Sequence, residues 1–204
     1  FRDQAAVDAH GAQPSAKPGD VRFKDINGDG RITADDRTKI GSPWPDYVGG
    51  LTNTMSYKGF DLTVFLQYSI GNDIFNAGRS YFDNHPKRAL KRWTPENPDA
   101  TEPRAVYGDP NGNTRISSRF VEDGSYLRVK NAVLGYTVPS SIAGKMGFSS
   151  LRVYVQAQNL FTFTDYSGFD PEVNYAGDTS VTRGVDFYTL PQPRTITAGF
   201  NIGF

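Results

Sequence analysis

Five stretches in which apolar and polar residues alternate constrain the fold of this chain more than any other feature of its sequence. Alternation with a period of two places successive side chains on opposite faces of a β-strand. Each stretch is long enough to cross a membrane as a strand, which takes about 9 to 11 residues. The stretches cover about residues 47–57, 59–70, 125–138, 151–163 and 195–204. The sequence therefore predicts an all-β fold built on five long strands.

The last stretch indicates what surrounds these strands. Its one face carries only apolar residues, among them Ile196, Phe200 and Phe204. The opposite face carries small or uncharged residues such as Thr197 and Asn201, whereas the polar face of a soluble sheet is often charged. A strand of this length with one wholly apolar face is typical of a transmembrane β-barrel.

The connections between the stretches alternate strictly between short and long. The short ones are 58–59 and 139–149, and the long polar ones are 1–46, 71–124 and 164–193. Outer-membrane barrels have short turns on the periplasmic side and long loops outside the cell. We therefore expect 1–46 to be an extracellular loop and 47–204 to hold five barrel strands with the long loops 71–124 and 164–193.

Five strands cannot close a barrel, because the smallest bacterial barrels have about eight. The remaining strands must come from elsewhere in a parent polypeptide or from another chain. The sequence also starts at Phe1 instead of methionine, without a basic and apolar leader, which predicts a fragment or a processed product.

Composition excludes several functions. The 22 basic and 22 acidic residues leave no net charge, so no nucleic-acid partner is expected. There is no cysteine, and no apolar run reaches the about 18 residues of a transmembrane helix. Enzyme signatures such as a Walker loop or a nucleophile elbow are absent, and we predict that the chain is not an enzyme.

Residues 25–36, DINGDGRITADD, follow the spacing of an EF-hand calcium loop. Gly30 stands where the loop turns sharply. Side-chain oxygens, and one backbone carbonyl at the arginine, stand at the ligand positions: Asp25, Asn27, Asp29, Arg31 and Asp36. The sequence therefore predicts a structural calcium ion.

Two features depart from an EF-hand. Asp36 replaces the usual bidentate glutamate, which should lower the affinity or shift the closing ligand to Asp35. No full helix flanks the loop, since the proline-rich SPWPD follows at 42–46. The alternative is a turn ordered by Asp and Asn side chains without a metal.

The long loops contain other residues that could carry chemistry. Asp165, Asp170 and Glu172 could form the carboxylate pair of a glycosidase, although their setting, DYSGFDPE, is more typical of an ordered turn. Loop aromatics either stack on a sugar or partner protein or pack the loops on one another: Tyr81, Phe82, Trp93, Tyr107, Phe169 and Tyr175.

Four segments carry a resemblance to a known family. They are PGDVRFKDINGDGRITADDRTKIGSPWPDYVGGL at 18–51, RWTPENPDA at 92–100, SYLRVKNAVLGYTVP at 125–139 and LRVYVQAQNLFTFTDYSGFDPEV at 151–173. With a terminal strand ending on Phe204, they resemble the C-terminal part of SusC/RagA-type TonB-dependent outer-membrane transporters. The match covers most of the chain in the family's order.

The resemblance implies a multi-pass outer-membrane barrel of about 22 strands with an N-terminal plug that this chain lacks. Such transporters import oligosaccharides or peptides, are driven by TonB acting through the absent N-terminal region, and are capped by a SusD-like surface lipoprotein. The family's calcium-like loop corresponds to Asp25, Asn27, Asp29, Arg31 and Asp36. Phe204 resembles the signal for barrel assembly.

A transport barrel predicts which strand residues face outer-membrane lipid. These are Leu62, Leu66, Val153, Val155, Ile196, Phe200 and Phe204. Facing the lumen or plug we expect Thr63, Gln67, Gln156, Gln158, Thr197 and Asn201. The alternative is a secreted, calcium-stabilised carbohydrate-binding or adhesion β-sandwich, which leaves the alternating connection lengths unexplained.

Overall fold

The computed structural model describes residues 1–81, 90–175 and 183–204, so Phe82 lies outside the described residues. Long strands dominate it, as the alternation predicts. The strands are β1 Tyr47–Tyr57, β2 Phe60–Ile70, β3 Asp73–Asn76, β4 Val121–Asp123, β5 Tyr126–Thr137, β6 Ser150–Thr164, β7 Val185–Asp186 and β8 Thr195–Gly203. The α-helices are α1 Gln4–His10, α2 Ala77–Tyr81 and α3 Ser140–Ala143, and 3₁₀ turns cover Ala34–Asp36, Ser118–Phe120 and Gly144–Met146.

The five predicted strands form one antiparallel sheet in the order β1-β2-β5-β6-β8. Every predicted strand boundary lies within one residue of the observed one. The β1–β2 turn has left-handed φ angles of 46° at Lys58 and 87° at Gly59, the geometry of a tight hairpin turn that matches strand twist. The prediction of five long antiparallel strands is therefore confirmed.

A bulge in β5 sets which of its residues share a face. The β2–β5 register steps from Phe65 opposite Asn131 to Leu66 opposite Val129, so Lys130 is left out of the ladder. Strict alternation would put Leu127 and Leu134 on opposite faces of the sheet. Because of the extra residue, they lie on the same face.

The long loops contain structure that the sequence pattern did not predict. Strands β4, β3 and β7 form a second, three-stranded sheet, in that order. These strands are two to four residues long, too short for a periodic pattern to reveal. Ile74 of β3 is fully buried.

The chain divides into two compact units. One consists of Phe1–Ile40 and Asn76–Val121, and the other of Gly41–Phe75 and Glu122–Phe204, which holds the five-stranded sheet. None of the helices in the described ranges is both long and apolar enough to pass through a membrane.

Candidate membrane interface and its polar face

One face of the five-stranded sheet, the apolar face, presents a continuous layer of large apolar side chains. Cross-strand partners such as Val153 and Phe200 share this face. Each of the following side chains is at least 40% exposed: Tyr47, Leu51, Met55, Tyr57, Phe60, Leu127, Leu134, Val153, Val155, Phe161, Phe163, Ile196 and Phe200. Monomeric soluble proteins rarely expose so large an apolar layer. The face therefore requires an apolar environment.

The residues that we predicted to face lipid fall on this face. The strand register places Leu62 opposite Leu134 and Leu66 opposite Val129, and Leu134 in turn lies opposite Val155 of β6. Val153 lies on the same face, opposite Tyr136. Ile196 and Phe200 of β8 complete the layer. Phe204 follows the last strand and is exposed.

The opposite face, the polar face, is cross-linked by hydrogen bonds between side chains. It holds the residues predicted to point away from lipid: Thr63, Gln67, Gln156, Gln158, Thr197 and Asn201. Three neutral hydrogen bonds join Thr54 and Thr63 (Oγ1 to Oγ1, 3.3 Å), Gln67 Nε2 and the Tyr126 hydroxyl (3.1 Å), and Gln156 Nε2 and Asn131 Oδ1 (2.8 Å). Arg152 donates to both carboxylate oxygens of Asp61, at 3.0 and 2.5 Å.

A buried arginine connects this polar face to the loop 164–193. The Arg128 side chain is fully buried, and its guanidinium donates to Thr162 Oγ1 at 3.0 Å, Glu172 Oε2 at 2.8 Å and Asp170 Oδ1 at 2.5 Å. Lys130 Nζ donates to the same Glu172 oxygen at 3.2 Å. We call Arg128, Lys130, Asp170 and Glu172 the Arg128 cluster. In this cluster, the positive charges of Arg128 and Lys130 compensate the negative charges of Asp170 and Glu172.

The cluster fixes both ends of the loop. Besides accepting from Arg128, the Asp170 carboxylate accepts a hydrogen bond from the backbone N–H of Gln192 at 3.0 Å. Asp170 and Glu172, considered above as a glycosidase pair, are thus bound to Arg128. Their geometry is that of a loop anchor.

A second buried contact lies inside the same loop. The Tyr166 hydroxyl donates to Asp186 Oδ2 at 2.6 Å, and both residues are buried. Burial and the Asp186 carboxylate together raise the pKa of Tyr166 well above its ordinary value. Tyr166 therefore stays protonated and keeps donating to Asp186.

The acidic loop at 25–36 is closed by its own backbone. Asp25 accepts from the N–H groups of Gly28 (2.7 Å) and Gly30 (2.8 Å), and Asp36 accepts from Thr33 and Ile26 (both 2.7 Å). The hydrogen bonds that Asp36 accepts from the backbone, chiefly from the Thr33 and then the Ile26 N–H, lower its pKa. Asp36 thereby binds the backbone of the residue that follows Asp25.

The remaining predicted ligands lie along the same loop. Asp29 Oδ1 accepts from the Arg31 N–H at 2.8 Å, and Asn27 Oδ1 accepts from the Asp29 N–H at 3.0 Å. Across the described ranges, no three His, Cys, Asp or Glu side chains converge as a metal-binding group. The structure thus joins the two ends of the loop through Asp36, while Asn27, Asp29 and Arg31 contact only their near neighbours in the chain.

The compact unit formed by Phe1–Ile40 and Asn76–Val121 contains a buried carboxylate, that of Asp20. Asp20 is 2% exposed and accepts two hydrogen bonds from Arg104, at 2.6 and 3.0 Å, and one from Asn113 at 3.1 Å. Burial by itself would raise the pKa of the Asp20 carboxyl, but these donors outweigh burial and hold it below its ordinary value. Sequence patterns did not predict these contacts, since Arg104 and Asn113 each lie more than eighty residues from Asp20 in the chain.

The curated proteins that resemble this chain include several TonB-dependent receptors. No protein-family model matches the chain. TonB-dependent receptor P3 of Formosa agariphila is 40% identical over 195 residues, covering 92% of this chain and 19% of that protein. TonB-dependent receptor P26 of the same organism is 36% identical over all of this chain and 21% of its own length. TonB-dependent receptor SusC of Bacteroides thetaiotaomicron is 29% identical over 93% of this chain and 18% of its own.

Solved structures agree with these relatives. A structure of the RagAB peptide transporter matches with a TM-score of 0.71 and 30% identity, covering 92% of this chain and 20% of that one. The same importer in its open-open state matches with a TM-score of 0.70 and 29% identity, over 86% of this chain and 19% of that one. This chain spans about a fifth of the length of the curated relatives it matches. Over most of its length, this chain therefore matches part of TonB-dependent receptors of the SusC type and part of the RagAB peptide transporter.

Proposed function

We propose that this chain forms five neighbouring strands in the wall of an outer-membrane β-barrel that imports oligosaccharides or peptides. The observation that carries the proposal is the apolar face, which is exposed across all five strands while the opposite face is polar and hydrogen-bonded. Lipid on one side and an aqueous or plug-filled lumen on the other would satisfy both faces.

The edges of the sheet support a larger barrel. Strands β1 and β8 form the two edges, and each leaves one row of backbone groups without a strand partner in the sheet. In hydrocarbon each unpaired group costs several kcal/mol. Further strands, about 22 in all on the family resemblance, would pair with both edges and close the barrel.

The loops and the relatives suggest the orientation and the partners. The three long segments would lie outside the cell and the two short connections in the periplasm. Energy would come from TonB acting through a plug region outside this chain, and a SusD-like lipoprotein would cover the extracellular side. The relatives' designations as TonB-dependent receptors, SusC and a peptide importer support this arrangement.

Uptake by the complete receptor tests the proposal. We expect cells that express the receptor containing this chain, with its neighbouring lipoprotein, to accumulate fluorescent oligosaccharides or peptides larger than porins admit. Accumulation should stop when a protonophore removes the energy source or when TonB is deleted. Recovery of the receptor in the soluble fraction, or uptake that is independent of TonB, would contradict the proposed function.

We also propose that the loop 25–36 binds a structural calcium ion. Its donors are hard oxygens, as calcium requires, and each carboxylate that accepts a backbone N–H retains further lone pairs for an ion. Asp36 closes the loop on the backbone N–H of Ile26, the residue after Asp25, so a cation held by both carboxylates would offset the repulsion between them.

Replacing Asp25 by asparagine should weaken calcium binding, because one of the two adjoining carboxylates loses its charge. We expect calorimetric titration of the chelator-treated complete receptor to show one binding event that Asp25→Asn weakens at least tenfold. Asp8→Asn, an exposed substitution outside the loop, is the matched control. Equal calcium binding by the Asp25→Asn variant and the unaltered receptor would favour the metal-free turn.

A further inference from the structure

A groove lies at one end of the apolar face, over the three central strands of the sheet. It has a volume of about 530 Å³, and its apolar lining comes from Tyr68 and Ile70 of β2, Leu127 of β5 and Phe163 of β6. The strand register places Leu127 opposite both Tyr68 and Phe163, so these three side chains form one row across the sheet. Further strands of a barrel would pair with β1 and β8 and would not lie over this groove.

Leu127 forms the floor of the groove. The Tyr68 ring leans away from it over Gly49, since the Tyr68 hydroxyl lies 2.6 Å from the position that a Cβ at Gly49 would occupy. On the other side, the centre of the Phe163 ring lies 6.5 Å from that of the Phe161 ring. Leu127 stays 40% exposed between the two flanking aromatic side chains. An acyl chain in the groove would cover Leu127 and contact both rings.

The end of the groove beside the long loops is polar and acidic. Asp123 and Asp165 line it there, and both residues are exposed. Hydrogen bonds hold this end together: Asp123 Oδ1 accepts from the Ser125 N–H at 2.8 Å, and Thr164 Oγ1 donates to the Ser125 carbonyl at 2.8 Å. In the part of the chain that the structure describes, neither carboxylate has an ion-pair partner.

The charges at this end of the groove indicate which head group it accepts. Two uncompensated carboxylates attract a cation. No third His, Cys, Asp or Glu of the described ranges joins them as a metal-binding group, so they suit an ammonium with its N–H donors better than a hard metal ion, which takes about six to eight oxygens. Arg194 contacts the same face through Phe161, with 5.6 Å between its guanidinium carbon and the ring centre, and offers a partner for a phosphate.

We propose that this groove binds one membrane lipid with a phosphoethanolamine head group. The acyl chain lies on Leu127 between the two aromatic rings. The ammonium group binds Asp123 and Asp165, and the phosphate faces Arg194. Aromatic side chains and charged groups lie together where the membrane interior meets water, so chain and head group are satisfied at one site. This inference rests on the proposed contact of the apolar face with lipid and adds a specific site to it.

Lipid retention by the purified complete receptor tests the site. The receptor is reconstituted into vesicles of equal parts phosphatidylethanolamine, phosphatidylcholine and phosphatidylglycerol with matched acyl chains, and extracted in mild detergent. Mass spectrometry then measures the lipid that stays bound. We expect phosphatidylethanolamine to be enriched about fivefold or more over the other two, because phosphatidylcholine has no N–H donor in its head group and phosphatidylglycerol has no cation.

Two pairs of variants locate the bound lipid. Asp165→Asn should lower the enrichment about fivefold, whereas Asp8→Asn, an exposed substitution outside the groove, should leave it unchanged. Leu127→Trp fills the floor of the groove and should abolish the enrichment, whereas Leu134→Trp, on the same strand and face, should not. All four variants should reach the outer membrane in normal yield, since none places a new charge on the lipid-facing surface.

Several results would overturn the inference. These are equal retention of the three lipids, preferential retention of phosphatidylglycerol, unchanged enrichment in Asp165→Asn, or unchanged enrichment in Leu127→Trp. If Leu127→Trp fails to assemble, the comparison of Asp165→Asn with Asp8→Asn still decides. Retention is measured without transport, so a receptor that retains the lipid but fails to import contradicts the proposed function alone. A receptor that imports cargo but retains no phosphatidylethanolamine overturns the lipid site alone.

Discussion

Replacing Phe200 by arginine is expected to remove most of the folded receptor from the outer membrane. Phe200 lies in the middle of the apolar face of β8, opposite Val153, and is exposed. An arginine on the lipid face of a barrel costs about 2–4 kcal/mol near the midplane of the bilayer and less towards an interface. Urea unfolding of the receptor in lipid vesicles and its yield in outer-membrane fractions would measure the loss.

The matched control places the same charge on the other face of the same strand. Thr197 pairs with Gln156 on the polar face, and we expect Thr197→Arg to leave yield and unfolding close to those of the unaltered receptor. Equal yields of the two variants would show that the apolar face does not contact lipid. A soluble sandwich would require a second layer over that face.

Replacing Arg128 by methionine is expected to release the loop 164–193 from the sheet. The substitution leaves the Asp170 carboxylate, only 7% exposed, without its cation. Breaking a buried ion pair by removing one partner costs about 3–5 kcal/mol, because the remaining charge stays desolvated. Limited proteolysis within 164–193 and hydrogen exchange of the Gln192 amide would report the released loop.

A second ion pair of the same sheet provides the control. Arg152 and Asp61 have side chains about 30% exposed, so water compensates the charge that remains when one partner is lost. We expect Arg152→Met to cost much less than Arg128→Met and to leave the loop protected. The double substitution Arg128→Met with Asp170→Leu should recover part of the loss, since it removes both charges. Proteolysis of Arg128→Met at the rate of the unaltered receptor would show that the cluster does not anchor the loop.

The long strands were predictable because their signal is local. Alternation within one strand reflects two environments on its two sides, and this pattern places boundaries such as Tyr47 and Tyr57 without knowledge of the neighbouring strand. The tight turn at 58–59 and the length of the other connections then gave the antiparallel order. For the same reason, the lipid-facing set around Phe200 and Val153 falls on one face in the structure.

The bulge at Lys130 was not predictable in this way. An unpaired residue is defined by the register of both neighbouring strands, and only the paired sheet shows that Leu127 joins the face of Leu134. The Arg128 cluster was not predictable from a local pattern either. An arginine between Leu127 and Val129 was the one local hint, but its carboxylate partners lie more than forty residues away.

The five-strand pattern, the separation of apolar and polar faces, the acidic loop at 25–36 and the family resemblance could be predicted before folding, because each depends on residues close together in the chain. The folded chain was needed to show that Arg128 compensates Asp170 and that Tyr166 supports Asp186. Buried polar contacts between distant segments depend on which groups folding removes from water together, and no local pattern encodes that pairing.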